Sequence, residues 1–143
     1  ERLVAVTREP DAAGQWQWAK RAGGTSGSQH IAEGVAVDAT GNIAVLATAH
    51  DTPFDPASGT TPGTVRTAFV VQFDAAGQLV RATPVAAPAG ARGRSIARTP
   101  AGDLLLTGSF NSPSAQFGTM TLTGQGGKDI FVAKLNATGQ WLW

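Results

Sequence analysis

Cysteine is absent from the 143 residues. Its absence excludes a disulfide framework, thiol catalysis and cysteine-ligated zinc, while leaving the compartment open. Charge is also scarce. Only 15% of the residues are charged, well below the roughly one quarter of an ordinary domain. Lys and Arg number 11 and Asp and Glu 10, a net charge of +1. Such a balance gives no electrostatic case for nucleic acid or an acidic membrane surface. No apolar run approaches the roughly 20 residues that span a bilayer as a helix. No charged-then-apolar leader follows Glu1, so a mature or trimmed form is expected.

What the chain does have is turn chemistry. Eighteen glycines and eight prolines lie between apolar runs, which points to many tight turns rather than to disorder. The turns repeat. Asp11-Ala12-Ala13-Gly14-Gln15-Trp16, Asp74-Ala75-Ala76-Gly77-Gln78-Leu79 and Asn136-Ala137-Thr138-Gly139-Gln140-Trp141 place their glycines 63 and 62 residues apart. Between them, Asp38-Ala39-Thr40-Gly41-Asn42-Ile43 and Thr99-Pro100-Ala101-Gly102-Asp103-Leu104 place theirs 61 apart. Two independent motifs with one spacing define a unit of about 62 residues.

Each turn separates two strand-like runs. Asp or Asn can close such a turn through its side chain, and Gly accepts the positive φ. One unit therefore holds four strands, A to D. They are expected near 34–38, 43–49, 66–73 and 78–83, then near 94–98, 104–109, 129–135 and 140–143. Half a unit precedes them, with strands near 2–8 and 15–18, for ten strands in all. The intervening stretches at 19–33, 50–65, 84–93 and 110–128 read as long Gly-, Pro-, Ser- and Thr-rich loops inside a single segment, 1–143. No run sustains the helical period of 3.6.

Short four-stranded sheets in tandem cannot bury both faces alone; stacking on their neighbours does bury them. The expected fold is all-β. It is a β-propeller arc of about two and a half four-stranded antiparallel blades, divided as a half blade 1–18 and blades 19–83 and 84–143. Gln15-Trp16-Gln17-Trp18 alternates, so both tryptophans are expected on one face, as are Trp141 and Trp143. Packing between blades accounts for them better than a sugar-stacking platform, and Trp16, Trp18 and Trp141 are expected to be mostly buried.

The run Gly108-Ser109-Phe110, Phe117-Gly118, Leu122-Thr123, Gly127-Lys128-Asp129-Ile130-Phe131-Val132-Ala133-Lys134-Leu135 and Asn136 to Trp143 resembles the bacterial SBBP-type β-propeller repeat. The segment 35–43 resembles that family's first hairpin. The middle unit departs from the pattern, with Leu46-Ala47-Thr48-Ala49-His50 in one strand and no tryptophan pair. The resemblance implies a secreted or surface-attached bacterial protein, extracellular or at the cell surface.

The motifs for chemistry are sparse. The Asp-x-x-Gly hairpins are similar to the Asp-box of sialidase-like propellers but read as structural turns. Asp38, Asp74 and Asp103 each stand alone, so calcium is not expected. His30 and His50 have no third partner for zinc. His50, Asp51 and the serines lack a nucleophile elbow. Asn136-Ala137-Thr138 matches a glycosylation sequon and reads as a turn. Arg81, Arg92, Arg94 and Arg98 make the one local charge bias, suited to a carboxylate, a sulfate or an acidic sugar. The candidate ligand residues are therefore His30, Arg92 and Arg94, with no catalytic residue, metal or cofactor expected. The expected function is a non-catalytic structural, adhesion or binding module. A lectin-like glycan binder and a fragment of a glycan-processing enzyme are the alternatives. The expected partners are a protein or glycan at the loop face, and further blades of the same protein or self-association through exposed blade faces. Neither nucleic acid nor membrane insertion is expected.

Overall fold

The computed structural model of the chain describes residues 4–7, 13–15, 18–22, 29–50, 67–87, 89–111 and 113–143. These residues form eleven strands: β1 (Val4–Thr7), β2 (Ala19–Ala22), β3 (Gln29–Val37), β4 (Ile43–His50), β5 (Thr67–Phe73), β6 (Leu79–Val85), β7 (Ala91–Arg98), β8 (Leu104–Phe110), β9 (Ser114–Phe117), β10 (Met120–Thr123) and β11 (Asp129–Leu135). No helix occurs among the described residues, and all the pairings are antiparallel.

The sheets are β1-β2, β3-β4-β5-β6, β7-β8-β11 and the small hairpin β9-β10. Four of the described hairpin turns, at 38–42, 74–78, 99–103 and 136–140, share one hydrogen-bond pattern. The first residue's N–H donates to the fifth residue's carbonyl, and the glycine N–H donates back to the first carbonyl, all at 2.8–3.0 Å. The first side chain closes the turn. Asp74 Oδ1 accepts from the Ala76 and Gln78 N–H groups at 2.9 and 2.8 Å, and Asn136 Oδ1 accepts from Thr138 and Gln140 at 3.1 and 2.8 Å. Asp38 does the same for Thr40 and Asn42. Burial alone raises the Asp38 carboxyl, but the combined donors from Thr40 and Asn42 outweigh it and hold the group at about 2.

The sheets pack face to face. In the middle sheet, β4 is buried from Ile43 to Ala49 and β5 from Ala68 to Phe73, so both faces are covered along these two central strands. Its back face carries Ile43, Val45, Ala49, Phe69, Val71 and Phe73, against which Trp18 packs. Its front face carries Ala44, Leu46, Ala68 and Val70, which meet Leu104, Leu106, Phe131 and Leu135 of the third sheet. β7 lies across β3, β4 and β5. Each of the large side chains here contributes about 1.5–3 kcal/mol by leaving water.

Several details differ from the expectations drawn from sequence. β3 begins at Gln29, inside a stretch read as a loop. The loop at 110–128 contains the hairpin β9-β10. That hairpin extends the middle sheet through an Ala86–Gln116 bridge and inserts Ala115 and Phe117 into the core. The second strand of the half unit lies at Ala19–Ala22 rather than 15–18, because Thr7 pairs with Ala19. The fourth strand of the last unit shrinks to a bridge between Leu135 and Trp141. Beyond it, the Leu142 N–H donates to the Lys134 carbonyl, and the Lys134 N–H donates to the Trp143 carbonyl.

The tryptophans of the last unit do not share a face. In the middle sheet Leu79 pairs with Phe73 but Arg81 with Gln72, so Val80 is an inserted residue. A bulge of this kind breaks the alternation. Leu79 then packs on the back face, while Arg81 contacts the third unit's turn on the front. The same pairing recurs between Trp141 and Leu135 and between Trp143 and Lys134. Trp141 is half-buried edge-on to Phe117, centroids 5.0 Å apart, whereas Trp143 is 54% exposed. Trp18 is half-buried, and Trp16 lies outside the described residues.

Successive units hand over at one contact. A methyl group at Gly77 would stand 2.8 Å from the Trp18 ring, and one at Gly139 would stand 2.8 Å from Arg81 Cδ. Trp18, just before β2, and Arg81, early in β6, lie 63 residues apart. At Gly102 (φ +89°) a methyl would meet nothing within 4 Å, so that glycine serves its backbone conformation alone. Alanine at either position pays for the left-handed backbone, within a range of about 1–3 kcal/mol. In urea titrations Gly102→Ala should lie near the bottom of that range and Gly77→Ala at or above its top. Equal losses would contradict the Trp18 contact.

Candidate functional site

The two ends of the sheets differ in kind. One end carries the four uniform turns. The other carries the long connections, and there the polar side chains gather: Glu33, Thr48, Arg92, Ser109, Asn111 and Lys128.

Glu33 comes first in this construction. It sits at a register shift between Ala32 and Gly34 of β3, where an inserted residue redirects its side chain. Its carboxylate reaches the next sheet and accepts from Arg92 Nε at 2.7 Å. The Glu33 side chain is 11% exposed and that of Arg92 29%. The fully buried Thr48 hydroxyl lies 3.5 Å from the same carboxylate oxygen and accepts from the Gly93 N–H at 3.3 Å. β3, β4 and β7 are thus joined through one polar chain inside an otherwise apolar junction. A methyl group at Gly93 would meet the Leu46 side chain at 2.5 Å, so β7 runs close enough for these bonds only because residue 93 has no side chain.

Beyond Arg92 the surface opens into a cleft of about 260 Å³, lined by Arg92, Ser109, Asn111, Lys128 and the turn at 89–91. The Ala87 carbonyl accepts from the Gly90 N–H at 2.9 Å, and the Gly90 carbonyl accepts from the Asn111 N–H at 3.2 Å, which ties the turn to the end of β8. Ser109 is buried, while Asn111 and Lys128 are exposed. Hydrogen-bond donors of this kind suit the oxygens of a carboxylate, a sulfate or a sugar. Among the described residues no three His, Asp or Glu side chains converge as a metal-binding set.

The three residues singled out from sequence occupy three different places. Arg92 lines the cleft. His30 pairs across the sheet with Ala49, on the back face of the middle sheet, and is buried. Glu33 reaches Arg92 from the other side of that sheet. Arg94 sits at the register shift of β7, between Gly93 and Ser95, and is exposed. It is the counterpart of Glu33, 61 residues later. Arg98, of the same basic cluster, serves the turn end: its Nη1 lies 3.5 Å from Asp38 Oδ2 and donates to the Gly102 carbonyl at 3.2 Å. Asp51 lies outside the described residues. Glu33, Thr48, Ser109, Asn111 and Lys128 were not singled out. The signal for Glu33 was a charged residue followed by glycine inside a β run, a mark of a bulge.

No protein-family model matches the chain, and no curated protein matches it significantly.

Burial, and secondarily the nearby His50, push the His30 imidazole below its ordinary 6.5. The folded state therefore binds fewer protons than the unfolded chain in the window below 6.5. Stability is full above that pH and falls as the pH drops toward the lowered folded value. The melting temperature should be lower at pH 5 than at pH 7.5, and His30→Leu should flatten that slope. A wild-type slope retained in His30→Leu would assign the titration elsewhere. Separately, Arg92→Ala should cost about 1.5–3 kcal/mol, the worth of a charged hydrogen bond. In a double-mutant cycle with Glu33→Gln the losses should be clearly non-additive by chemical denaturation.

Proposed function

We propose that the chain is a non-catalytic structural, adhesion or binding module. In this reading it is an arc of β-propeller blades of the SBBP repeat type, two full blades and a half, from a secreted or surface-attached bacterial protein. The observation that carries the reading is the recurring handover, Gly77 on Trp18 and Gly139 on Arg81. A unit that seats its turn on the end of the preceding unit is built to extend a stack. The polar residues of the junction support the same reading. Glu33, Thr48 and Arg92 are engaged with one another across two sheets, which makes them a brace rather than a set of groups free to do chemistry.

A second reading is favoured by the cleft. Lys128 and Asn111 stand exposed beside Arg92, at the end of the sheets that bears the long connections. Loops on a rigid β scaffold commonly carry recognition, and these donors fit a glycan bearing a carboxylate or a sulfate. The two readings separate on a glycan array. The scaffold reading expects no glycan above background and no change in Lys128→Ala. Binding of uronate, sialylated or sulfated glycans, weakened about tenfold in Lys128→Ala, would favour the lectin-like module; that factor corresponds to about 1.4 kcal/mol. Chromogenic ester, glycoside and peptide substrates should show only background hydrolysis with the wild-type chain, and turnover abolished by Ser109→Ala would overturn both readings.

A further inference from the structure

The cleft beyond Arg92 is lined by polar groups that bond to nothing in the described protein. Ser109 is 8% exposed. It pairs with Arg92 across β7 and β8, so the two side chains share one face of that sheet. Its hydroxyl has no partner among the described residues, and it lines the cleft. The same holds for the Asn111 amide and the Lys128 ammonium. Arg92 gives only its Nε, to Glu33, which leaves both Nη groups unbonded among the described residues. A polar side chain held nine-tenths buried without a bond is satisfied only from the cleft side. The repeat does not require this arrangement. The counterparts of Arg92 and Ser109 in the middle sheet, 61 residues earlier, are Ile31 and Thr48, which pair in the same way. An apolar position of one sheet is a cation in the other.

The net charge of the cleft is small. Arg92 and Lys128 line it, and no acidic residue does. Glu33 stands behind the guanidinium, its carboxylate 2.7 Å from Nε and its side chain 11% exposed, so salt screens it little. Two positive charges against one negative leave a single net positive charge. Two further charges stand near. Arg94 on β7 and Asp129 on β11 have opposite signs and do not line the cleft. The Asp129 carboxylate accepts from the Gln125 N–H at 2.9 Å. The cleft measures about 260 Å³, below the roughly 300–1,000 Å³ of pockets that enclose drug-sized ligands. That is room for one charged group and the sugar ring that bears it.

We propose that the cleft selects a singly charged oxyanion on a sugar, a carboxylate or a sulfate monoester, over a phosphate monoester, and that Glu33 sets this selectivity without touching the ligand. The Nη groups of Arg92 offer the two-point contact that oxyanions take. The Ser109 hydroxyl and the Lys128 ammonium stand beside them. Glu33 acts in two ways. Its bond to Nε fixes the guanidinium and leaves the Nη groups to the ligand. Its charge cancels one of the two cations, so one negative charge on the ligand neutralises the site. A phosphate monoester brings about 1.5–2 negative charges at pH 7. It overcharges the cleft and gives up more hydration on entering. The inference rests on the glycan-binding reading of the cleft.

The test follows the amide resonances of the full chain by NMR. The probes are methyl glucuronide, the sulfate and phosphate monoesters of methyl glucoside, and methyl glucoside itself. The glucuronide or the sulfate should move the Ser109 and Asn111 resonances at lower concentration than the phosphate does, and the neutral glycoside should leave them in place. Whichever of the first two binds more tightly identifies the group. In Glu33→Gln the phosphate should gain on the sulfate by about fivefold, the scale of one charge acting across a guanidinium near a protein surface. Asn111→Asp, at an exposed position, should move the ratio the other way. Thr48→Val takes the hydroxyl out of the brace without a change of charge and should leave the ratio where it is. Three results would overturn the role of Glu33 and leave the glycan-binding reading standing: phosphate bound as tightly as sulfate by the wild type, a ratio unmoved in Glu33→Gln and Asn111→Asp, or a ratio moved as far by Thr48→Val. A neutral glycoside bound as tightly as the glucuronide would overturn the charge selectivity altogether. No response to any of the four probes would overturn the glycan-binding reading as well.

Discussion

The middle sheet is apolar on both faces, and the rest of the structure follows from that constraint. Leu46 and Val70 point one way, Phe69 and Val71 the other, and all four are essentially without solvent contact. A sheet of this kind has no face to give to water. It is stable only between two neighbours, and each neighbour inherits half of the same problem.

Close approach brings its own demands. Gly93 lets β7 settle on Leu46, and the same proximity brings its N–H to Thr48. A buried hydroxyl and a nearly buried carboxylate are costly unless paired. Arg92 supplies the pairing from the partner sheet. The junction therefore has a polar brace near one end and apolar contact over the remainder. That brace fixes the guanidinium that borders the cleft, so the candidate site is a by-product of how two sheets are registered against each other.

The hairpin β9-β10 shows how the repeat tolerates elaboration. It hangs on the edge of the middle sheet through Ala86 and Gln116, with backbone bonds of 3.2 and 2.6 Å. Phe117 enters between Phe131, 5.1 Å away, and Trp141, 5.0 Å away. An edge of one sheet and the core between two are covered together. Trp141 is thus held twice, its ring by this inserted element and its backbone by the bridge to Leu135 of β11.

The all-β class and the positions of the described tight turns were legible in the sequence, because Asp, Asn or Thr followed by Gly three residues on encodes a turn locally. So were β4, β5, β8 and β11, as apolar runs between those turns. What local signals do not carry is register. An inserted residue at Val80 sends Leu79 and Arg81 to opposite faces, and one at Glu33 turns a strand residue into a bridge between sheets. Whether an alternating run stays alternating depends on the partner strand's hydrogen bonds, which the run itself does not encode. For the same reason Arg92 and Arg94, neighbours in one basic cluster along the chain, stand apart in space: Arg92 lines the cleft and Arg94 is exposed at the register shift of β7. The sequence by itself determined the all-β class and where the described hairpins turn. The tertiary structure alone decided which side chains meet across the junctions, since sheet-on-sheet contact depends on register and face, and neither is written in any single stretch of residues.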